Sequence, residues 1–347
     1  MRIANWWWRA AAAATPLLLV WALPAAEPKA PPSASAIKVP LGLRPIPWPK
    51  NNPYSAAKWE LGRYLYFDKR LSADGTVSCA TCHDPAKAFT DNEPNSQGIK
   101  GQRGDRSAPT VINRAYGFAQ FWDGRASSLE EQAKGPMQNP IEMGHTHEAI
   151  VGALKKNAGY QKLFQAAFGN AEVDIDRAAQ AIATFERTVL SGNSAYDKYK
   201  AGNKSALSAS AIRGMDVYFN KAKCDQCHEG LNFTTNAYHN LGVGMDKPNP
   251  DEGRFKVTRN PLDWGAFKTP TLRDISRTAP YMHDGSLKTL EEVVDFYDRG
   301  GTPNKNLDER MKKLNLTPTE KKDLVEFLKA LDGEGWQHLT APATFPN

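Results

Sequence analysis

Two five-residue stretches decide how this chain is read: Cys79-Ala80-Thr81-Cys82-His83 and Cys224-Asp225-Gln226-Cys227-His228. Both are C-x-x-C-H, and together they use all four cysteines of the 347-residue sequence. The spacing has a chemical reason: the two thiols reach the two vinyl groups of one haem, and the next residue supplies an axial imidazole. An even cysteine number in an exported chain also suits disulfides, and cysteine with histidine suits zinc. A Cys2His2 zinc site, however, does not place a histidine directly after its second cysteine. The pentads therefore predict two covalently bound haem c groups, one on Cys79 and Cys82, the other on Cys224 and Cys227. His83 and His228 are the expected proximal iron ligands.

Around the pentads the sequence repeats itself. Gly62-Arg63-Tyr64-Leu65-Tyr66-Phe67-Asp68 precedes the first, and Gly214-Met215-Asp216-Val217-Tyr218-Phe219-Asn220 precedes the second. Phe89-Thr90 and Phe233-Thr234 follow them. Each half then carries an amphipathic helix, with Ile182, Phe185 and Val189 along one face of the first and Leu324, Phe327, Leu328 and Leu331 along one face of the second. Such stripes are more often core than electron conduit. Gly192 and Gly333 are the expected helix stops. Few segments alternate with the strand period. The expected fold is mainly α, with two cytochrome c-like haem domains and long loops, divided in the Gly/Ser/Asn-rich stretch Gly202–Ser210. On this reading residues 54–204 form the N-terminal haem c domain and 205–347 the C-terminal haem c domain.

The N-terminus has a different character. Arg2 and Arg9 flank three tryptophans, an apolar run from Ala10 to Ala22 follows, and Pro24-Ala25-Ala26 offers small residues for cleavage. This is the layout of a secretory signal over residues 1–26, with an uncleaved anchor as the alternative. Export to the periplasm is the expected outcome, and no later segment is apolar enough to span a membrane. Residues 27–53 are rich in proline and read as an extended leader. Removing Arg2 and Arg9 leaves 42 basic against 38 acidic residues, a net +4 without a basic run, which argues against a nucleic-acid partner.

With these features in place the sequence resembles the bacterial di-haem cytochrome c peroxidase and MauG family. The resemblance rests on both pentads and on three further blocks. They are Ala108-Pro109-Thr110-Val111-Ile112-Asn113 running on to Gln120-Phe121-Trp122-Asp123-Gly124-Arg125, Glu131-Gln132-Ala133-Lys134-Gly135-Pro136 followed by Glu142-Met143, and Thr278-Ala279-Pro280-Tyr281-Met282-His283-Asp284-Gly285. It implies that peroxide reacts at the first haem while the second passes or stores electrons. It places Trp122 between the haems, Glu142 over the open face of the first iron and Gln132 beside it. It also implies an inter-domain calcium ion held by the Thr278 and Pro280 carbonyls and an Asn side chain. The Asn position is Ser107 here, a poorer ligand.

Two departures select the branch. Members of the conventional type carry a plugging His after the first pentad, but residues 84 to 136 contain no His, Met or Cys, and the loop reads Gln97-Gly98-Ile99-Lys100-Gly101. The first haem is then expected to be open to peroxide at rest. The sixth ligand of the second haem, Met in the conventional type and Tyr in the MauG type, falls at Tyr297. A core-packing Tyr297 is the alternative, with Met245, Met282, His239 and His283 as rival ligands. A phenolate is anionic and hard and stabilises high oxidation states, whereas Met raises the potential.

The function this implies is a periplasmic peroxidase-type oxidase. It uses hydrogen peroxide to form high-valent haem, with Glu142 relaying the proton and Trp122 carrying an oxidising equivalent, and it oxidises a partner, in the MauG manner a Trp in a protein substrate. Two other readings stand beside it: a cytochrome c peroxidase drawing electrons from a small cytochrome c or cupredoxin, and a non-catalytic di-haem electron carrier. The surface Trp that MauG carries before its second pentad is Ala222-Lys223 here. Among Trp48, Trp59, Trp122, Trp264 and Trp336, Trp264 is the candidate substitute exit, with packing as its alternative role.

Overall fold

Each pentad is cradled by the same pair of helices. In the first half α1 (Ala56–Phe67) packs on α6 (Ile175–Glu186); in the second, α8 (Ala209–Asp216) packs on α11 (Pro318–Lys329). The computed structural model describes residues 37–347, so the segment expected to direct export lies outside the described residues. Between the paired helices run α2 (Cys79–Cys82), α3 (Leu129–Gln138), α4 (His147–Lys156) and α5 (Ala158–Phe168) in the first half. A short α7 (Ala195–Lys200) leads into the second half, which adds α9 (Phe255–Thr258) and α10 (Leu290–Asp298). One two-stranded antiparallel ladder, β1 (Tyr238–His239) with β2 (Phe267–Lys268), is the sheet among the described residues, and long loops make up much of the rest. The mainly helical expectation holds.

Local chemistry accounts for these elements. Ser55, Ser128, Asp174, Ser208, Thr289 and Thr317 each accept a backbone N–H from the first turn of their helix. The helix pairs then close on glycine. A Cβ on Gly62 would lie 1.8 Å from the Ala181 carbonyl oxygen, and one on Gly214 would lie 1.8 Å from that of Asp323. Backbone thus meets backbone in both halves. The repeated Tyr-Phe fills the space beside the contact: Tyr66 meets the Phe185 ring at 5.0 Å and Tyr218 meets Phe327 at 5.0 Å.

Two apolar cores result, one around Leu65, Tyr66, Phe89, Ile182 and Phe185, the other around Tyr218, Phe233, Leu324, Phe327 and Leu331. The C-terminal tail returns to the first of them through Trp336 and Leu339. Residues 37–53 are not helical, as their prolines require, and bury Ile46 against Tyr116 and Leu190. No described helix is long and apolar enough to cross a membrane.

The expected helix stops are corrected. α6 ends at Glu186 and α11 at Lys329, several residues before Gly192 and Gly333. The side chain of buried Asn113 accepts from Ser191 N and donates to Ser191 O, both at 2.9 Å, and so holds the chain after α6 in an extended path. Gly192 and Glu334 then exchange backbone hydrogen bonds of 3.1 and 2.7 Å, where the two post-helix segments cross. A Cβ on Gly333 would meet the Gly192 carbonyl at 2.6 Å. These glycines permit a crossing rather than end a helix.

Candidate active site

A single cavity of about 1760 Å³ runs between the halves and is lined by both pentads. It exceeds the roughly 300–1,000 Å³ of one small-molecule site. Its walls include Val111, Leu129, Ala133 and Ile182 near the first pentad and Leu290, Val294, Leu324 and Leu328 near the second.

The residues of each pentad fit a haem. All four cysteines are free, so the disulfide alternative is not realised, and among the described residues no set of three His, Cys, Asp or Glu could hold a metal ion, which removes zinc. Burial pushes the Cys82 thiol up to about 11 and the Cys224 thiol up to about 12. Each histidine is held from behind. His83 Nδ1 lies 3.3 Å from the Phe89 carbonyl and His228 Nδ1 lies 3.1 Å from the Phe233 carbonyl. With Nδ1–H donated there, Nε2 keeps its lone pair for iron. Burial lowers the pKa of both, that of His228 to about 4, which favours the neutral, ligating form. Tyr66 and Tyr218 donate their hydroxyls to the carbonyls of His83 and His228, at 3.0 and 2.5 Å.

The remaining expected residues separate by half. Trp122, Gln132 and Glu142 line the cavity with the first pentad. Trp122 is fixed at both ends: its Nε1–H donates to the Ser107 carbonyl at 2.9 Å, and its own carbonyl accepts from Lys268 N at 2.8 Å. Glu142 accepts at 2.8 Å from Asn139 Nδ2. Burial raises the Glu142 pKa above the ordinary carboxylate value, against the opposing Arg125 charge and the Asn139 hydrogen bond. The histidine-free loop is docked beside it: Ile99 N donates to the Glu142 carbonyl at 2.9 Å, and Gly98 abuts the Ile141 carbonyl.

In the second half Tyr297 lines the cavity. Burial pushes its hydroxyl well above the usual phenol value, with the Cys224 and Cys227 thiols as the neighbours that add to it. Among the rivals, His283 is stacked on Phe267 at 3.6 Å between ring centres, and the Met245 sulfur lies against Gly265. His239 Nδ1 is bonded to Asp308 at 2.7 Å. Met282 also lines the cavity, with its carbonyl taken by the Ser107 hydroxyl at 3.0 Å. Ser107, Thr278 and Pro280, the expected calcium donors, border the same space. Three neutral oxygens supply at most half of the roughly six to eight that calcium takes, so they do not by themselves complete a site. Trp264 packs on Phe255 at 5.0 Å, Trp59 donates to Thr188 and Trp336 packs on Phe89.

Sequence reasoning missed an equivalence. Gln120-Phe121-Trp122-Asp123-Gly124 and Tyr281-Met282-His283-Asp284-Gly285 form the same turn, each closed by a bridge, Gln120 to Ala126 and Tyr281 to Leu287. Phe121 and Met282 take φ of 66° and 72°, and Gly124 and Gly285 take 68° and 61°. The Asp-Gly two residues after each positive-φ position was the available signal. The buried Glu186, Arg114 and Lys268 were also missed, since isolated charged residues carry no motif.

Two helix-pair cradles, each holding a C-x-x-C-H turn over one shared cavity, define a di-haem c-type redox protein. The chain belongs to the di-haem cytochrome c peroxidase family. The family model so described matches residues 56–205. The methylamine utilization protein MauG of Methylorubrum extorquens is 41% identical over 292 residues, covering 83% of this chain and 82% of that one. The cytochrome c551 peroxidase of Nitrosomonas europaea is 41% identical over 288 residues, covering 81% and 82%. The crystal structure of a MauG-like protein associated with microbial copper homeostasis superposes with a TM-score of 0.78 at 34% identity, covering 93% of this chain and 98% of that one. Haem c cofactors and peroxidase-type oxidoreductase chemistry follow from the family.

Proposed function

We propose that this chain is a periplasmic, peroxide-driven oxidase of the MauG type, acting on a partner that gives up electrons at the protein surface, with tryptophan in a protein substrate as the favoured class. The observation that carries this reading is the position of Tyr297, whose hydroxyl shares its buried surroundings with Cys224 and Cys227. Bound haem iron would supply the activation of peroxide and the oxidising power. His83 would hold the first group, and His228 with Tyr297 the second. Without a cation the half-buried Tyr297 stays a neutral phenol; a ferric centre is the kind of charge that turns it into a ligand.

The other residues have separate tasks. Glu142, kept partly out of water and aimed by Asn139, takes a proton from one peroxide oxygen and returns it to the other, so that water leaves. Trp122, immobilised by Ser107 and Lys268, lies in the wall shared by the two halves and suits the passage of an electron between them. Gln132 would orient the bound oxygen pair. Residues 54–204 and 205–347 would then divide the work as peroxidatic and electron-transfer domains. Periplasmic export rests on the leader at 1–26. A calcium ion at Ser107, Thr278 and Pro280 has no part in this scheme.

A cytochrome c peroxidase role is the second reading, favoured by the likeness to the Nitrosomonas europaea enzyme. Electron paramagnetic resonance of the resting ferric protein, wild type beside Tyr297→Phe, separates the two. The MauG-type reading expects one high-spin and one low-spin haem, with the low-spin signal changed in the variant, and negligible turnover with reduced cytochrome c. A methionine–iron charge-transfer band, or rapid cytochrome c turnover, would establish the second reading instead.

A further inference from the structure

Lys268 stands out among the residues around the cavity. It lies on β2 opposite Tyr238, is 6% exposed, and lines the space between the pentads. Its backbone N–H is bonded to Trp122, but its ammonium has neither a carboxylate nor a hydrogen-bond acceptor among the described residues. Burying an ammonium without a partner costs several kcal/mol, and native proteins rarely tolerate it without a reason. Arg114 is the charged neighbour that Lys268 feels, and it adds repulsion. Arg114 is itself buried on the cavity wall, and its guanidinium is spent on neutral groups, Gln120 Oε1 at 2.9 Å and the Ala119 carbonyl at 2.7 Å.

The nearby acid does not neutralise this pair. Glu186 borders the same cavity, but it makes no ion pair with either cation, one of its oxygens has no partner, and burial raises its pKa to about 8 against the Arg187 and Arg114 charges. Other acids line the cavity, but Asp123 and Asp251 are paired with Arg106, Asp284 with Lys247 and Asp308 with Arg310, so neither Lys268 nor Arg114 has an ion-paired anion among the described residues. An anionic occupant completes the balance. Each haem carries two carboxylate side-arms and so supplies that charge.

We propose that Lys268, supported by Arg114, is the anchoring cation for a haem carboxylate between the two pentads and thereby sets the potential of the haem it holds. The proposal rests on haem occupancy, which the family establishes, and not on the MauG-type reading. A backbone bond places Lys268 directly behind Trp122, so the same strand segment fixes the electron path and the charge beside it. Lys268 is a positioning residue: it touches the side-arm and not the reacting iron.

Spectroelectrochemical titration of the purified two-haem protein tests this. Lys268→Met keeps the length and the backbone bond to Trp122 but removes the charge. At a fixed potential the ferrous-to-ferric ratio of at least one haem should fall about tenfold, or about 59 mV for one electron, and Lys268→Arg should restore it to within about twofold of wild type. A purely structural lysine would alter thermal stability and leave both potentials in place. Unchanged potentials in Lys268→Met with both haems attached overturn the proposal. Should that variant not accumulate with two haems, resonance Raman of Lys268→Arg holoprotein decides. A displaced propionate-bending band with unmoved ring modes supports the anchor, and an unmoved propionate band refutes it. Potentials and vibrations are read without peroxide or partner, so failure here is distinct from failure of the oxidase reading.

Discussion

Pro136 and Tyr297 occupy the same position in the two halves. Each is the eighth residue of its helix, α3 starting at Leu129 and α10 at Leu290. Both helices follow the repeated Asp-Gly turn and start from a hydroxyl cap, Ser128 accepting from Glu131 N at 3.0 Å and Thr289 from Glu292 N at 3.1 Å. In both, the third helical residue folds back to a backbone N–H before the cap, Glu131 to Ser127 and Glu292 to Lys288. On equivalent helices the cavity is therefore lined by a phenol in the second half and by a ring with no donor atom in the first.

Placing a phenol at the first position should close it. Pro136→Tyr is expected to convert the first haem from high-spin to low-spin in the ferric resonance spectrum. Its reaction with peroxide should slow about tenfold or more, the factor that corresponds to ~1.4 kcal/mol of added barrier. Retention of an open first haem with unchanged peroxide kinetics would contradict the equivalence.

Glu142→Gln should slow the peroxide reaction by about 10²–10⁴-fold while both haems and their resting spectra persist, as removal of a proton relay does. The relay needs the carboxylate. Because burial raises its pKa, reactivity should climb with pH through a limb placed above the ordinary glutamate value. Asn139 bonds to and favours the charged form, so Asn139→Ala should move that limb to still higher pH in stopped-flow measurements.

Gly214→Ala tests the helix-pair contact. Its Cβ would meet the Asp323 carbonyl at 1.8 Å, so α8 and α11 must separate. Overpacking of this kind costs about 1–3 kcal/mol. Denaturant unfolding should show that loss, and occupancy at Cys224 and Cys227 should fall relative to the first pentad by mass spectrometry. Full stability would mean that the contact is looser than its geometry.

Arg273 is buried and paired with buried Asp197 at 2.5 and 2.9 Å, and it also donates to the Leu231 carbonyl. Arg273→Met strands the carboxylate, at a cost of about 3–5 kcal/mol. Replacing Asp197 with Leu in the same chain should recover part of the loss by removing the orphaned charge. No recovery in the double variant would show that the Leu231 hydrogen bonds, not the ion pair, hold this region.

Much of the site was legible in the primary structure because covalent and coordination chemistry demand residue types at fixed spacing. The pentads, Trp122, Glu142 and Tyr297 all belong to blocks a reader can quote, and all line one cavity. The glycines were misread in a telling way. Gly192 and Gly333 have the signature of a helix stop, but their role is a crossing of two segments more than a hundred residues apart.

The order of residues alone therefore determined the two haem attachments, the helical class, the internal repeat and the absence of an imidazole in the loop 97–101, since each depends on neighbours along the chain. Tertiary structure alone decided that Pro136 answers Tyr297, that the loop is docked on Glu142, and that the Lys268 and Arg114 charges face the cavity with no acid paired to them. Those facts depend on distance through space and on what water cannot reach, and neither quantity is written in local spacing.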